Sequence, residues 1–283
     1  MGTFKDLTNK KFNMLTVEKY LGNSKWLCHC ECGNATIVRT ALLNEDSNRR
    51  NKKSCGCLKE KNLPKNQDYF EEINTSEKAY ILGFIASDGC VQPENNKIKI
   101  DLKEIDEDIL LKIQKEIGHD NKLSHYKQKS YFNEKEYIIN ISRLVINSKQ
   151  MIKDLQKYGV VKNKTDILNI NLSLISKEFF FDFLRGMFDG DGCISFSKEK
   201  KYCDVTLTST PIMLNKILDW LNKNCEYDCK FYLNYRHKDN LNNATIISTN
   251  KDFNKNFLKD LYLNSTIYLD RKFNKAKDFI KNY

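Results

Sequence analysis

Two stretches of this chain place an aspartate where an apolar, helix-like run stops: "YILGFIASDGCV", residues 80–91, and "FLRGMFDGDGCISF", residues 183–196. A helix C-terminus already carries partial negative charge from unpaired carbonyls, so a carboxylate there is disfavoured unless something positive sits beside it. Aligned, the stretches pair Gly83 with Gly186, Ser87 with Gly190, Asp88 with Asp191, Gly89 with Gly192 and Cys90 with Cys193, at a constant offset of 103. One such stretch reads as a plain Asp-Gly turn; two in register indicate an internal duplication. Gly83 and Ser87 lie four apart, as do Gly186 and Gly190, so each helix has a stripe of small residues along which another backbone can approach. The two helices are expected to pack together with Asp88 and Asp191 side by side. Two like charges at two negative helix ends call for a divalent cation. Hard oxygen donors suit Mg²⁺, which keeps several waters and bridges to phosphate oxygens. The chemistry implied is metal-assisted hydrolysis of a phosphodiester.

The elements that position these residues recur as well. In the first copy "KIKIDLK" (97–103) alternates polar and apolar, and "DEDILLKIQKEIG" has helical spacing. In the second, "YCDVTLT" alternates, and "TPIMLNKILDWL" opens with Thr210 as N-cap and Pro211 at the first helical position. Next come "KEYIINIS" and "SKQMIKDLQKYG", mirrored by "KFYLNYRH" and "KDFNKNFLKDLY". Each half reads αββαββα, an α+β organisation. Alternating strands offer one face to the helices and the other to a ligand. Lys97, Lys99, Asp101 and Lys103 form one such polar row, Tyr202, Asp204, Thr206 and Thr208 a second, and Lys230, Tyr232, Asn234 and Arg236 a third. Mixed donors and acceptors on a β-ribbon match base edges in the major groove, whereas phosphates need only cations. An ordinary solvent face alternates in the same way, so it is the duplicated motif that favours DNA contact.

A second constellation lies near the N-terminus, where Cys28, Cys30, Cys32, Cys55 and Cys57 flank a basic gap containing Arg49, Arg50, Lys52 and Lys53. About 60 residues make too small a core for comfortable stability, and a tetrahedral thiolate site for zinc is a common remedy. Zinc needs four of the five. The C-x-C-x-C…C-x-C spacing differs from the usual C-x2-C, and buried thiols are the competing reading. Cys225 and Cys229 are read as free thiols.

Basic residues outnumber acidic ones 47 to 37, a formal +10, which fits an anionic partner. With 40% hydrophobic residues the chain folds around a real core. No apolar run approaches a membrane span and "MGTFKDLTNKKF" lacks a signal-peptide core, so an intracellular, cytoplasmic protein without membrane contact is expected, in a bacterial or phage-infected cell. Residues 1–60 are read as the Cys-rich module and 61–74, with Pro64 and no apolar period, as a linker.

With "ILGFIASDG" and "LRGMFDGDG" as its two motifs, residues 75–283 resemble a single-chain LAGLIDADG homing endonuclease. The resemblance implies two pseudo-symmetric halves, 75–168 and 169–283, whose antiparallel sheets form a DNA-binding saddle beneath two central packed helices. It implies that Asp88 and Asp191 bind the catalytic Mg²⁺, with the backbone carbonyls of Ser87 and Gly190 as further ligands. "VVKNKTDIL" and "IYLDRKFNKA" match segments carrying a lysine near each catalytic centre, giving Lys164 and Lys272. Glu104 and Ser209 occupy positions that can hold a water-positioning residue, and Asp189, matched by Ala86, reads as a structural hydrogen-bonding residue. Residues 4–58 resemble the zinc-ribbon-like domain at the front of many phage endonucleases, through "DLTNKKFNMLTV", "WLCHCECG" and "SCGC". The activity implied is Mg²⁺-dependent, site-specific double-strand cleavage of a long asymmetric DNA target by a monomer of a mobile element, with structural Zn²⁺ in the front module. The alternatives on the same scaffold are a maturase binding intron RNA and a non-cleaving DNA-binding regulator.

Overall fold

The computed structural model describes residues 4–43, 51–58, 63–132, 135–197, 202–235 and 243–282. The chain divides into two compact units, Met1–Leu63 and Pro64–Tyr283. In the first, β1 (Lys11–Phe12), β2 (Leu15–Gly22), β3 (Lys25–Cys30) and β4 (Ala35–Arg39) form an antiparallel sheet in sequence order. Alternation along β3 turns Trp26, Cys28 and Cys30 inward, where they join Leu15, Val17 and Val38.

The second unit opens with α1 (Ser76–Asp88), capped by Thr75, whose hydroxyl accepts from Lys78 N at 3.2 Å. Every residue from Ala79 to Ala86 is buried, as expected of a helix apolar on all faces. No loop follows: Gly89 begins β5 (Gly89–Gln92), which pairs with β6 (Lys97–Lys103). Then come α2 (Glu107–Glu116), β7 (Ser124–Phe132), β8 (Lys135–Asn147) and α3 (Lys149–Tyr158). The second half repeats the order with α4 (Phe180–Asp191), β9 (Gly192–Ser197), β10 (Tyr202–Ser209), α5 (Pro211–Asn224), β11 (Tyr232–Asn234), β12 (Ala244–Ser248) and α6 (Lys251–Tyr262). A further helix, α7 (Asp270–Asn282), ends the chain. The two sheets have equivalent strand orders, β5-β6-β8-β7 and β9-β10-β12-β11. This is the expected α+β fold of two αββαββα halves.

Two details differ from the sequence reading. The stretch around "KFYLNYRH" yields the short edge strand β11, the counterpart of β7 and not of "KEYIINIS", which opens β8; the counterpart of β8 is β12. Within the stretch read as a linker, Tyr69, Phe70 and Ile73 are buried in the core of the second unit. Three apolar residues are too few to show a period, yet they bury enough surface to dock the segment.

Candidate active site

The central contact of the second unit is between α1 and α4. A Cβ on Gly186 would run into the Tyr80 carbonyl oxygen and lie 2.7 Å from Phe84 N, and one on Gly83 would meet the Phe183 carbonyl oxygen and lie 3.0 Å from Met187 N. The glycine stripes bring backbone against backbone, as their spacing predicts. At the C-terminal end a Cβ on Gly190 would crowd Ser87 Oγ and lie 3.3 Å from Asp88 Cγ. Asp88 and Asp191, each the last residue of its helix, therefore converge at one end of the interface.

Burial and the neighbouring Asp191 push the Asp88 carboxyl up to about 6, while Lys272, Lys164 and Arg271 pull the other way without cancelling them. Burial raises the Asp191 carboxyl as well, against the pull of Lys164 and Lys272. The two candidate lysines are buried, Lys164 at 9% exposure and Lys272 at 5%. Lys164 Nζ donates to the Ser87 carbonyl at 2.7 Å. Lys272 Nζ donates to the carbonyls of Phe188 and Asp189 at 2.7 Å and of Gly190 at 3.2 Å. Burial lowers both ammonium groups, Lys272 to about 8. The lysines thus cap the negative helix ends through the backbone, but the carboxylates remain under-compensated.

A cavity of about 160 Å³ beside Asp191 is lined by Ser87, Lys164, Thr208 and Ser209. Glu104 stands apart from this group: it occupies an exposed 3-10 turn (Glu104–Asp106) and accepts from Asn140 Nδ2 at 2.9 Å. Strand register explains the displacement. Gly89 pairs with Ile100 and Gly192 with Leu207, so the residues level with Asp88 and Asp191 are Asp101 and Thr208, and Glu104 lies three positions beyond. Asp189 is buried and accepts from Tyr80 OH at 2.8 Å, Tyr262 OH at 2.6 Å and Leu269 N at 2.8 Å, the structural part read for it.

Of the polar rows, Lys97, Lys99, Asp101 and Lys103 share the face opposite buried Ile98 and Ile100, and Tyr202, Asp204, Thr206 and Thr208 the face opposite Val205 and Leu207. Tyr232 and Asn234 are exposed on β11, Lys230 pairs with Asp228 just before it, and Arg236 lies outside the described residues. Sequence reading missed Arg143 and Tyr126. Arg143 donates twice to Asp101 at 2.6 Å and once to Tyr126 OH at 2.9 Å, which fixes a guanidinium on the polar face of the first sheet. The register Asp101↔Arg143 was the only signal for it, and register is not visible before strands are paired.

In the first unit the sulfurs of Cys30, Cys32, Cys55 and Cys57 all lie within 4.8 Å of one another. Cys30 and Cys57 are 3.7 Å apart, Cys32 and Cys55 3.4 Å. A tetrahedron with Zn–S of about 2.3 Å has edges of about 3.8 Å, so the set fits zinc in number, spacing and chemistry. Cys28 is the fifth wheel: buried, it points its thiol at the Trp26 carbonyl at 3.8 Å. Cys57→Ser is expected to abolish stoichiometric zinc and Cys28→Ala to retain it, as read by metal analysis after exhaustive dialysis; zinc lost from both or from neither would remove the assignment.

Paired helix ends bearing two carboxylates, above sheets of equivalent strand order, define a duplicated protein of the LAGLIDADG type. The family model described as LAGLIDADG-like domain matches residues 75–158 and 178–262, and the chain belongs to that family. Among solved structures, the homing endonuclease I-WcaI bound to its DNA recognition sequence is similar at 17% identity with a TM-score of 0.51, over 73% of this chain and 91% of that one. The LAGLIDADG homing endonuclease I-GzeII in complex with its DNA target is 12% identical with a TM-score of 0.46, over 72% of this chain and 88% of that one. No curated protein sequence matches. Among the described residues no helix is long and apolar enough to cross a membrane.

Proposed function

We propose that this protein is a divalent-metal-dependent endonuclease that cuts both strands of a long, asymmetric DNA site, acting as a monomer with one acidic residue per half. The observation that carries this reading is the convergence of Asp88 and Asp191 beside two buried lysines. A pure binding protein has no use for under-compensated carboxylates held together at helix ends. Their hard oxygens fit Mg²⁺ in donor chemistry, while Ser87 O and Gly190 O, which already accept from Lys164 and Lys272, keep one lone pair each. A divalent cation held there supplies positive charge at the phosphate and lowers the pKa of water. Lys272 and Lys164, whose ammonium groups stand on the carbonyls beside the two aspartates, would supply positive charge to a phosphate bound there.

The two sheets supply the asymmetry. The first carries Lys97, Lys99 and Lys103 with the anchored Arg143, the second the neutral and acidic row of Tyr202, Asp204, Thr206 and Thr208. The basic front module adds affinity that falls with salt, held together by Zn²⁺ on Cys30, Cys32, Cys55 and Cys57. Incubation with Mg²⁺ and the uninterrupted insertion locus of the element should yield a discrete double-strand break. No cleavage at any salt concentration, together with tight binding of intron RNA, would overturn the reading in favour of a maturase. Lys272→Met is expected to slow cutting by roughly 10²-fold while a gel-shift assay shows DNA affinity nearly unchanged.

A further inference from the structure

The second helix of each half contacts chain next to a buried lysine of the other half, α2 the residues just before Lys272 and α5 those five and six beyond Lys164. Lys112 is the sixth residue of α2 and Lys216 the sixth of α5. Lys112 Nζ donates to Tyr268 O at 3.2 Å and Asp270 Oδ1 at 2.7 Å, and lies 4.9 Å from the centre of the Tyr268 ring. Those residues lead directly into Lys272, whose backbone N–H is bonded to Leu269 O at 3.0 Å. Lys216 Nζ donates to Asn169 Oδ1 at 2.5 Å and Ile170 O at 3.1 Å, in the segment leaving Lys164. That segment packs on the end of α3 in the first half, where Asn171 N donates to Tyr158 O at 2.9 Å.

The residue before each helix does the same. Asp106, buried just ahead of α2, accepts from Arg271 Nε at 2.8 and 3.0 Å. Thr210, just ahead of α5, donates to Leu168 O at 2.5 Å. Two equivalent positions in each half thus grip a lysine-bearing segment, the sixth helix position through a lysine in both halves and the position before the helix through a carboxylate in one and a hydroxyl in the other.

We propose that Lys112 and Lys216 are positioning residues that hold Lys272 and Lys164 respectively, so that each half sets the geometry of its neighbour's buried ammonium. The bracing rests on the geometry alone; its consequence for cutting rests on the nuclease reading. Acetylation of the full-length protein by an amine-reactive ester, without DNA and followed by peptide mass spectrometry, tests the two separately. Lys112→Met is expected to speed labelling of Lys272 by roughly tenfold, the factor given by about 1.4 kcal/mol of lost restraint, with Lys164 unchanged. Lys216→Met should do the reverse, Lys112→Arg should restore slow labelling, and Asp106→Asn should expose Lys272 as Lys112→Met does. Equal acceleration at both lysines, or none at either, overturns the proposal. On a duplex that the wild type cuts, the two Met variants should each slow one strand, a different one in each case, so that nicked DNA accumulates; equal slowing of both strands counts against the bracing. If the wild type cuts no DNA, the nuclease reading falls and the labelling result stands.

Discussion

Asp88→Asn is expected to reduce cleavage on the order of 10³-fold or more, while leaving DNA binding largely intact and making the metal-free protein more stable. The opposite signs have one cause. Burial and the charge of Asp191 raise the Asp88 carboxyl from an ordinary 3.8 to about 6, so its ionised form is disfavoured in the folded state. Below pH 3.8 the group is protonated both folded and unfolded, and costs nothing. As pH rises from 3.8 through 6, the unfolded chain loses the proton first, and stability is lost progressively until the folded group is also ionised. Asn never carries that charge. In chelator-treated protein at pH 7 the variant should be more stable by about 2 kcal/mol, allowing for partial solvent exposure, with the gain vanishing below pH 4. Denaturant titrations at the two pH values measure it, and wild-type-like turnover or an unchanged midpoint at pH 7 would count against the site. Cleavage by the wild type should fall in acid, and the pH of half-loss should move down as Mg²⁺ is raised, because proton and metal compete for the same carboxylate.

Gly186→Val is expected to cost about 4 kcal/mol or to prevent folding of residues 64–283. Its β-carbon would meet the Tyr80 carbonyl oxygen and Phe84 N, both backbone atoms of α1 that cannot turn aside like a side chain. Relief requires the helices to separate, and these helices are the shared centre of the core: Tyr80 and Phe84 from one, Phe183 and Met187 from the other, all fully buried. A wild-type denaturation midpoint in this variant would show that the interface has been misread. Loss of folding would tie the chemistry to the packing, since the same interface brings Asp88 to the last turn of α4.

Much of this was legible because its signals are local. The spacing of Gly83, Ser87 and Asp88 and its repeat at Gly186, Gly190 and Asp191 report a helix face directly. Alternation in "KIKIDLK" and "YCDVTLT" reports strand faces in the same way. What stayed hidden depends on pairing between distant segments. Glu104 follows a strand in the sequence, but the level of the aspartates is set by the register of Gly89 with Ile100. Arg143 gains meaning only opposite Asp101, and Lys112 and Lys216 only beside loops far along the chain. Among the five early cysteines, spacing could not single out Cys28: β3 turns Cys28 and Cys30 to the same inward face, and only Cys30, the last residue of the strand, joins the sulfurs of Cys32, Cys55 and Cys57.

The close approach of α1 and α4 bears on how residues 64–283 can be divided. Residues 75–168 expressed alone would leave the α1 backbone at Tyr80 and Phe84 without the α4 backbone that covers it, and Leu168 O without its bond from Thr210. Burial at that seam is shared, so neither repeat is expected to keep its fold when cut from the other.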